Sequence, residues 1–102
     1  MSVDLKGQDN YPLIKNVTAV QTWLEIFLPS KASIITIGSE DKDLYVSFTG
    51  TDGGILAGID KAFIKRNGYL SINRGRGTNQ HNSIFVAVAT GTTANVVVIL
   101  EE

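Results

Sequence analysis

The stretch DLYVSFT, residues 43–49, decides the fold class of this 102-residue chain. Successive side chains of a strand point to opposite faces, so Leu44, Val46 and Phe48 share one face of an extended backbone. The next residues, GTDGG (50–54), contain an Asp-Gly pair that suits a turn with positive φ. The stretch therefore predicts a half-buried β-strand that ends in a tight turn.

Short apolar runs of this kind recur along the chain, and residues typical of turns separate them every 8 to 12 positions or so. They predict about eight strands, at residues 22–28, 33–37, 43–49, 55–59, 63–64, 69–73, 84–89 and 95–100. The last two are expected to form a hairpin across TGTTA (90–94). A helix over 57–65 is the one alternative, and it lacks capping residues. The expected fold is all-β, a single antiparallel β-sandwich with the jelly roll as one candidate topology.

The alternation also predicts which side chains form the core and where the domain begins. The predicted core residues are Leu24, Ile26, Leu44, Val46, Phe48, Ile84, Val86, Val96, Val98 and Leu100. Residues 1–16 do not alternate and contain Gly7, Asn10 and Pro12. We therefore expect an extended N-terminal arm at 1–16 and the sandwich domain at 17–102, with a partly disordered terminus as an equal alternative.

Composition limits the chain to one small domain and points to no partner by charge alone. Apolar residues make up 43% and charged residues 19%, the net charge is −1, and there is no cysteine. These values exclude a disordered tail, a strongly charged binder and a disulfide-stabilised scaffold. The sequence has no apolar run typical of a signal peptide or a membrane span. We expect a chain that is made and stays in the cytoplasm, or leaves it only inside a larger particle.

Motifs that carry catalysis are missing from the sequence. The single histidine, His81, lies in the polar stretch TNQHNS, with no acid or nucleophile at a recognisable spacing. No nucleophile elbow, phosphate-binding loop or zinc-protease motif is present. Four acidic residues could offer oxygen ligands but match no calcium loop well: Glu40, Asp41, Asp43 and Asp52. The sequence predicts no enzyme activity, no cofactor and no metal site.

Basic residues cluster in a segment that contains no acidic residue. This basic segment consists of Lys61, Lys65, Arg66, Arg74 and Arg76, a local charge of +5 in a chain of net charge −1. We expect it to dock on a partner protein, with Arg74 and Arg76 as the main contacts because arginine forms bidentate bonds. Nucleic acid is the less favoured partner, for which Tyr69 could stack on a base.

Two stretches are apolar on both faces. Residues 96–100 read VVVIL, and Trp23 with Phe27 gives residues 22–28 an apolar second face. One face of an antiparallel sheet commonly meets water, so a second apolar face needs cover. Either the chain's own arm and loops supply that cover or a second subunit does. The candidate interface residues are Trp23, Phe27, Val97 and Ile99.

Three pieces of the chain resemble small virion structural proteins of tailed bacteriophages. They are TWLEIFLPSKASIITI (22–37), DLYVSFTGTDGG (43–54) and IFVAVATGTTANVVVILEE (84–102), within a resemblance that spans about 80 of the 102 residues. The resemblance implies a decoration, cement or fibre-base module on a capsid or tail, commonly a trimer. It brings no catalytic residues with it.

The leading hypothesis is therefore a capsid-surface decoration protein that binds a symmetric lattice. It would reside in the virion as a homo-oligomer, a trimer, with other virion proteins such as a major capsid protein as partners. The alternative is a tail- or fibre-associated binding module that recognises another virion protein or a host glycan, using aromatic residues such as Trp23, Tyr45 and Tyr69. We expect neither a membrane nor nucleic acid as the partner.

Overall fold

The computed structural model describes residues 2–75 and 81–102. These residues form nine strands: β1 (Ser2–Asp4), β2 (Leu13–Ala19), β3 (Leu24–Phe27), β4 (Ile34–Gly38), β5 (Leu44–Ser47), β6 (Ala62–Ile64), β7 (Tyr69–Asn73), β8 (Ser83–Val88) and β9 (Ala94–Glu101). No helix occurs among the described residues, and so none that could cross a membrane. The all-β prediction is confirmed.

The nine strands form two sheets that pack face to face. Sheet A has the order β1-β3-β8-β5-β6, and sheet B has the order β2-β9-β4-β7. All pairs are antiparallel except β1 with β3, which run parallel. The arrangement is the two-sheet sandwich that the pattern of strands predicts.

The core lies between the two sheets and is made of alternate side chains of both. Nine of the ten predicted core residues are buried. The exception is Phe48, which follows the end of β5 and is only half-buried. Its ring lies against the imidazole of His81, with 4.6 Å between the ring centroids. Alternation predicted the correct face of Phe48, but the strand ends before that face is fully covered.

The predicted hairpin across residues 90–94 is wrong. β8 lies in sheet A between β3 and β5, whereas β9 lies in sheet B between β2 and β4. Both strands are therefore paired along both edges, and neither has an edge left for the other. Residues 89–93 cross from one sheet to the other.

The predicted strand at 55–59 is also wrong, and so is the helical alternative over 57–65. Residues 50–60, which we call the overlying loop, cross the outer face of sheet A. Gly53 and Gly58 adopt φ of +75° and +78° there, a conformation that interrupts an extended strand. The next strand is β6, which the sequence placed correctly at residues 63 and 64.

The N-terminal residues contribute strands to both sheets. β1 extends sheet A beside β3, and the backbone N–H of buried Leu5 donates to the carbonyl of Phe27 at 2.9 Å. β2 begins at Leu13 and pairs with β9 along its whole length. The boundary expected between residues 16 and 17 therefore falls inside β2.

Candidate protein-interaction surfaces

Trp23 lies under the overlying loop. Its side chain is 1% exposed and packs with Phe85 and Ala87 of sheet A, while Leu56 and Ile59 contact this cluster from the loop. The backbone N–H of Trp23 donates to the carbonyl of Gly54 at 3.0 Å, and the Trp23 carbonyl accepts from the backbone N–H of Gly53 at 2.7 Å. Trp23 is thus not an exposed interface residue, because the chain's own loop covers it.

The other three candidate interface residues lie on two different surfaces. Phe27 is half-buried on the outer face of sheet A, where the Lys6 ammonium lies 5.2 Å from the ring centroid. Val97 and Ile99 are half-buried on the outer face of sheet B. The two outer faces of a sandwich point away from each other, so these side chains cannot form one patch.

The outer face of sheet B carries a group of apolar side chains around Val97 and Ile99, and it is uncovered among the described residues. Uncharged polar side chains occupy most of its other outward positions: Asn16, Thr18, Thr36, Ser71, Asn73 and Asn95. Ile14 and Thr36 lie on either side of Ile99, and the neighbouring row consists of Asn16, Val97, Gly38 and Tyr69. Ile14 is 62% exposed and Tyr69 is 45% exposed. Glu101 is the one charged side chain at an outward position of β2, β9, β4 and β7.

The sequence pattern predicted only part of this surface. It singled out Val97 and Ile99 because both faces of their strand are apolar. It missed Ile14, which fell in the expected arm, and it assigned Tyr69 to base stacking. The missing information is the pairing of β2 and β7 with the rest of sheet B, which is not local in the sequence.

Gly38 gives this surface a close backbone contact. A Cβ added there would lie 2.6 Å from Cδ1 of Tyr69 and would also clash with the carbonyl oxygen of Gly68. We expect Gly38→Ala to lower the free energy of unfolding by about 1–3 kcal/mol, the usual cost of overpacking. Urea unfolding measures the effect, and Gly7→Ala is the matched control because a Cβ there meets nothing within 4 Å. Equal stability of the two variants would contradict the close packing of Tyr69 on Gly38.

Arg74, expected to be a main docking contact, is bound within the chain. Its Nε donates to the carbonyl of Ala32 at 2.8 Å, and its two terminal nitrogens donate to the carbonyls of Pro29 and His81. Burial lowers the pKa of Arg74 from its ordinary value. The guanidinium therefore joins the turn after β3 to the start of β8. Three of its five N–H groups are thus bound within the chain, and its contact with a partner stays a prediction.

The remaining basic residues are not one continuous surface. Lys61 donates to the carbonyls of Leu56 and Ile59 at 3.3 and 3.2 Å, and its ammonium lies 5.5 Å from the ring centroid of Tyr45. Arg76 lies outside the described residues. Two basic residues, Lys65 and Arg66, are exposed in the turn between β6 and β7.

Lys65 and Arg66 border an open cavity of about 520 Å³ with mixed charge. Asp41, Lys42 and Asp43 line its other side, and Oδ1 of Asp43 accepts from the backbone N–H of Arg66 at 2.7 Å. Acidic and basic groups alternate around it, which suits neither a phosphate nor a cation. Within residues 2–75 and 81–102, no group of three or more possible ligands could hold a metal.

A short hydrogen bond orders the acidic turn beside this cavity. The hydroxyl of buried Ser39 donates to Oδ1 of Asp41 at 2.5 Å. This hydrogen bond is the largest of several causes that together lower the pKa of Asp41 from its ordinary value of 3.8. A carboxyl whose pKa is lowered by folding stabilises the fold above its ordinary pKa, and the stabilisation is lost as pH falls through the folded-state value.

We therefore expect Ser39→Ala to be less stable than the parent, by a margin that narrows in acid. The part due to Asp41 is present at neutral pH and disappears once that carboxyl is protonated. Thermal unfolding of both proteins at about pH 7 and about pH 3 tests this sign. If the difference in stability between the parent and Ser39→Ala grows in acid, the assigned hydrogen bond is contradicted. Ser30→Ala, in an exposed turn, is the control.

An apolar groove opens between β7 of sheet B and the β5–β6 end of sheet A. It has a volume of about 310 Å³. Its apolar lining consists of Val46, Phe48, Ala62, Leu70 and Ile72. No pattern in the sequence predicted this groove, because Leu70 and Ile72 have the alternation of any half-buried strand. The groove lies at the place where the edges of the two sheets do not pack against each other.

Two of the three aromatic residues expected to contact a glycan are engaged within the chain. Trp23 is buried, and Tyr45 makes an edge-to-face contact with Phe63, 5.8 Å between ring centroids. Tyr69 is the exposed member of the three. The described residues therefore hold no group of exposed aromatics at these positions.

Comparison with protein-family models, with curated proteins and with solved structures finds no match for this chain.

Proposed function

We propose that this chain is a virion structural protein of a tailed bacteriophage, in particular a capsid-surface decoration protein that binds a symmetric protein lattice. The observation that carries the proposal is the outer face of sheet B, where a group of apolar side chains around Val97 and Ile99 lies among uncharged polar ones and is uncovered among the described residues. Burial of such a face on another protein contributes about 25 cal/mol per Å² of apolar area. Uncovered apolar patches of this kind mark contact sites between proteins. The resemblance described above supplies the class of particle.

The central strand of the same face is the proposed contact between copies of the chain, which leaves the rest of the face for the lattice. We propose a homo-oligomer, a trimer as the resemblance implies, whose subunits meet around Val97 and Ile99. In a three-fold ring each subunit meets its two neighbours through two different patches, so both sides of this strand would take part. The alternative of a glycan-binding module has less support, because Trp23 is buried and Tyr45 is packed against Phe63.

Sedimentation with phage particles tests this function. Particles assembled without the chain are mixed with the purified protein and pelleted at low and at raised salt. We expect saturable binding that changes little with salt, since an apolar contact is not screened. Binding that does not saturate, or no binding at all, would contradict the proposal.

A charge on the outer face tests which surface is responsible. Ile99→Lys should lower binding about tenfold or more, because burying an unpaired ammonium costs more than the lost apolar contact. Ser30→Lys adds the same charge at an exposed turn away from this face and should bind like the parent. Far-ultraviolet circular dichroism confirms that both variants keep the fold. Equal binding of the two variants would remove the outer face of sheet B from the proposal.

A further inference from the structure

The two sheets end in four edge strands, and three of these are protected against pairing with another chain. Proteins protect an edge by making it short or by placing a charge on it, including one that points inward. β1 and β6 have three residues each. β2 has seven residues, and Lys15 occupies a position on its inner face beside buried Val98.

The fourth edge, β7, has neither form of protection. It has five residues, Tyr-Leu-Ser-Ile-Asn, with no charge and no proline. Among the described residues it pairs with β4 alone. An uncharged edge of this length is a template for a further strand.

The direction of the free backbone groups follows from one hydrogen bond. The N–H of Arg74 donates to the carbonyl of Ser33 at 2.8 Å, in line with the register of β4 and β7. Bonding residues alternate along an antiparallel strand, so Leu70 and Ile72 also direct their N–H and C=O groups towards β4. Tyr69, Ser71 and Asn73 therefore present theirs to the open edge.

The inner side of the same edge borders the apolar groove. Leu70 and Ile72 are half-buried and line it together with Phe48. A strand added to β7 would direct every second side chain towards this groove, because alternate residues of a strand share a face. The added strand should therefore carry apolar side chains at two alternate positions that face the groove. The residue between them pairs its backbone with the edge of β7.

We propose that the occupant is β7 of a second copy, paired antiparallel about a two-fold axis at Ser71. Ser71 then faces its own counterpart, and Tyr69 faces Asn73 of the partner subunit, so about six hydrogen bonds form. Leu70 meets Ile72 of the partner subunit on the inner side, and the two grooves join into one apolar interior. Read in either direction from Ser71, β7 has first an aliphatic residue and then one with a polar group, so the two copies match each other. Because β7 carries no charge, the pairing brings no like charges together.

This contact is independent of the proposed function and of the three-fold contact. Alone it gives a dimer, and combined with the three-fold contact it gives a hexamer. Both assemblies contain an even number of chains. Light scattering should therefore give an even multiple of the 11.0 kDa chain mass. A mass of one or of three chains at micromolar concentration would overturn the proposal.

A single cysteine tests the position of the axis, because the chain has no cysteine of its own. Directly bonded pairs have Cα atoms about 5.5 Å apart, within the range for a disulfide. Under mild oxidation Ser71→Cys should become a covalent dimer in most of the protein. Thr18→Cys is the matched control, an exposed outward position on the protected edge β2. Equal rates of cross-linking in the two variants would overturn the proposal.

A charge at the same two positions tests the energetics. Ser71→Lys places two ammonium groups across the axis and should weaken the pairing about tenfold or more. Its fold should survive, because Ser71 is exposed and the hydrogen bond that its hydroxyl makes, with Thr36 at 2.8 Å, is on the surface. Thr18→Lys should keep the mass of the parent. If Ser71→Lys keeps it as well, while circular dichroism shows both variants folded, the two-fold contact is not at β7.

Discussion

Trp23→Ala is expected to lower the free energy of unfolding by about 3–5 kcal/mol, the range for removing a buried large aromatic side chain. The indole fills the space between the overlying loop and sheet A, where it packs against Phe85 and Ala87. Its loss leaves a cavity beside Gly50, where an added Cβ would lie 3.1 Å from the indole ring and where the native residue has no side chain to move into the space. Urea unfolding followed by circular dichroism measures the change.

Trp23→Phe is the matched control for this prediction. The indole Nε1 is buried and has no hydrogen-bond partner within residues 2–75 and 81–102, so phenylalanine gives up no bond there and leaves a smaller cavity. We expect less than half of the loss seen with alanine. If both variants are as stable as the parent, the loop does not cover Trp23, and this residue returns as a candidate for the subunit contact.

Arg74→Ala should lower the free energy of unfolding by about 2–4 kcal/mol, since hydrogen bonds from a charged donor are among the stronger ones and three carbonyls lose theirs. The guanidinium connects the turn after β3, through the carbonyls of Pro29 and Ala32, to the carbonyl of His81 before β8. The loss should change little with salt, because the three acceptors are uncharged and no ion pair is removed.

Two variants make the Arg74 measurement specific. Arg74→Lys keeps the charge but has no planar fork, so we expect it to recover only part of the stability. Arg66→Ala removes an exposed arginine eight positions earlier and should stay within about 0.5 kcal/mol of the parent. Equal losses at positions 66 and 74 would mean that the three carbonyls do not depend on Arg74.

Local pattern was enough to predict the strands whose two faces differ. Leu44, Val46 and their neighbours alternate as a half-buried strand must, and the same rule located the core positions of β3, β8 and β9. The rule overextended β5 to Phe48, because alternation continues past the residue where pairing stops.

Pairing partners could not be predicted, since they depend on contacts far apart in the sequence. TGTTA looks like a hairpin turn, yet β8 and β9 each find two other neighbours. Residues 55–59 have the composition of a strand, but in the structure they belong to the overlying loop that covers Trp23. Residues 13–16 look irregular because Lys15 interrupts the apolar alternation, and that lysine sits on an edge strand.

Some residues of the candidate surfaces could likewise be predicted from local sequence, and others depend on contacts far apart in the chain. Val97 and Ile99 were recognisable from a strand that is apolar on both faces. Arg74 carries the signature of a docking residue in sequence, and its three internal carbonyls are known only from the fold. The open edge of β7 is a property of strand order alone.

The most direct test of the proposed function is whether purified phage particles contain this chain, and in how many copies. Quantitative mass spectrometry against the major capsid protein gives the ratio of the two chains. A decoration protein on a symmetric lattice should be present at a fixed ratio that repeats between preparations and matches the number of lattice sites. Absence of the chain from purified particles, or a ratio that falls steadily as the particles are washed, would contradict the account.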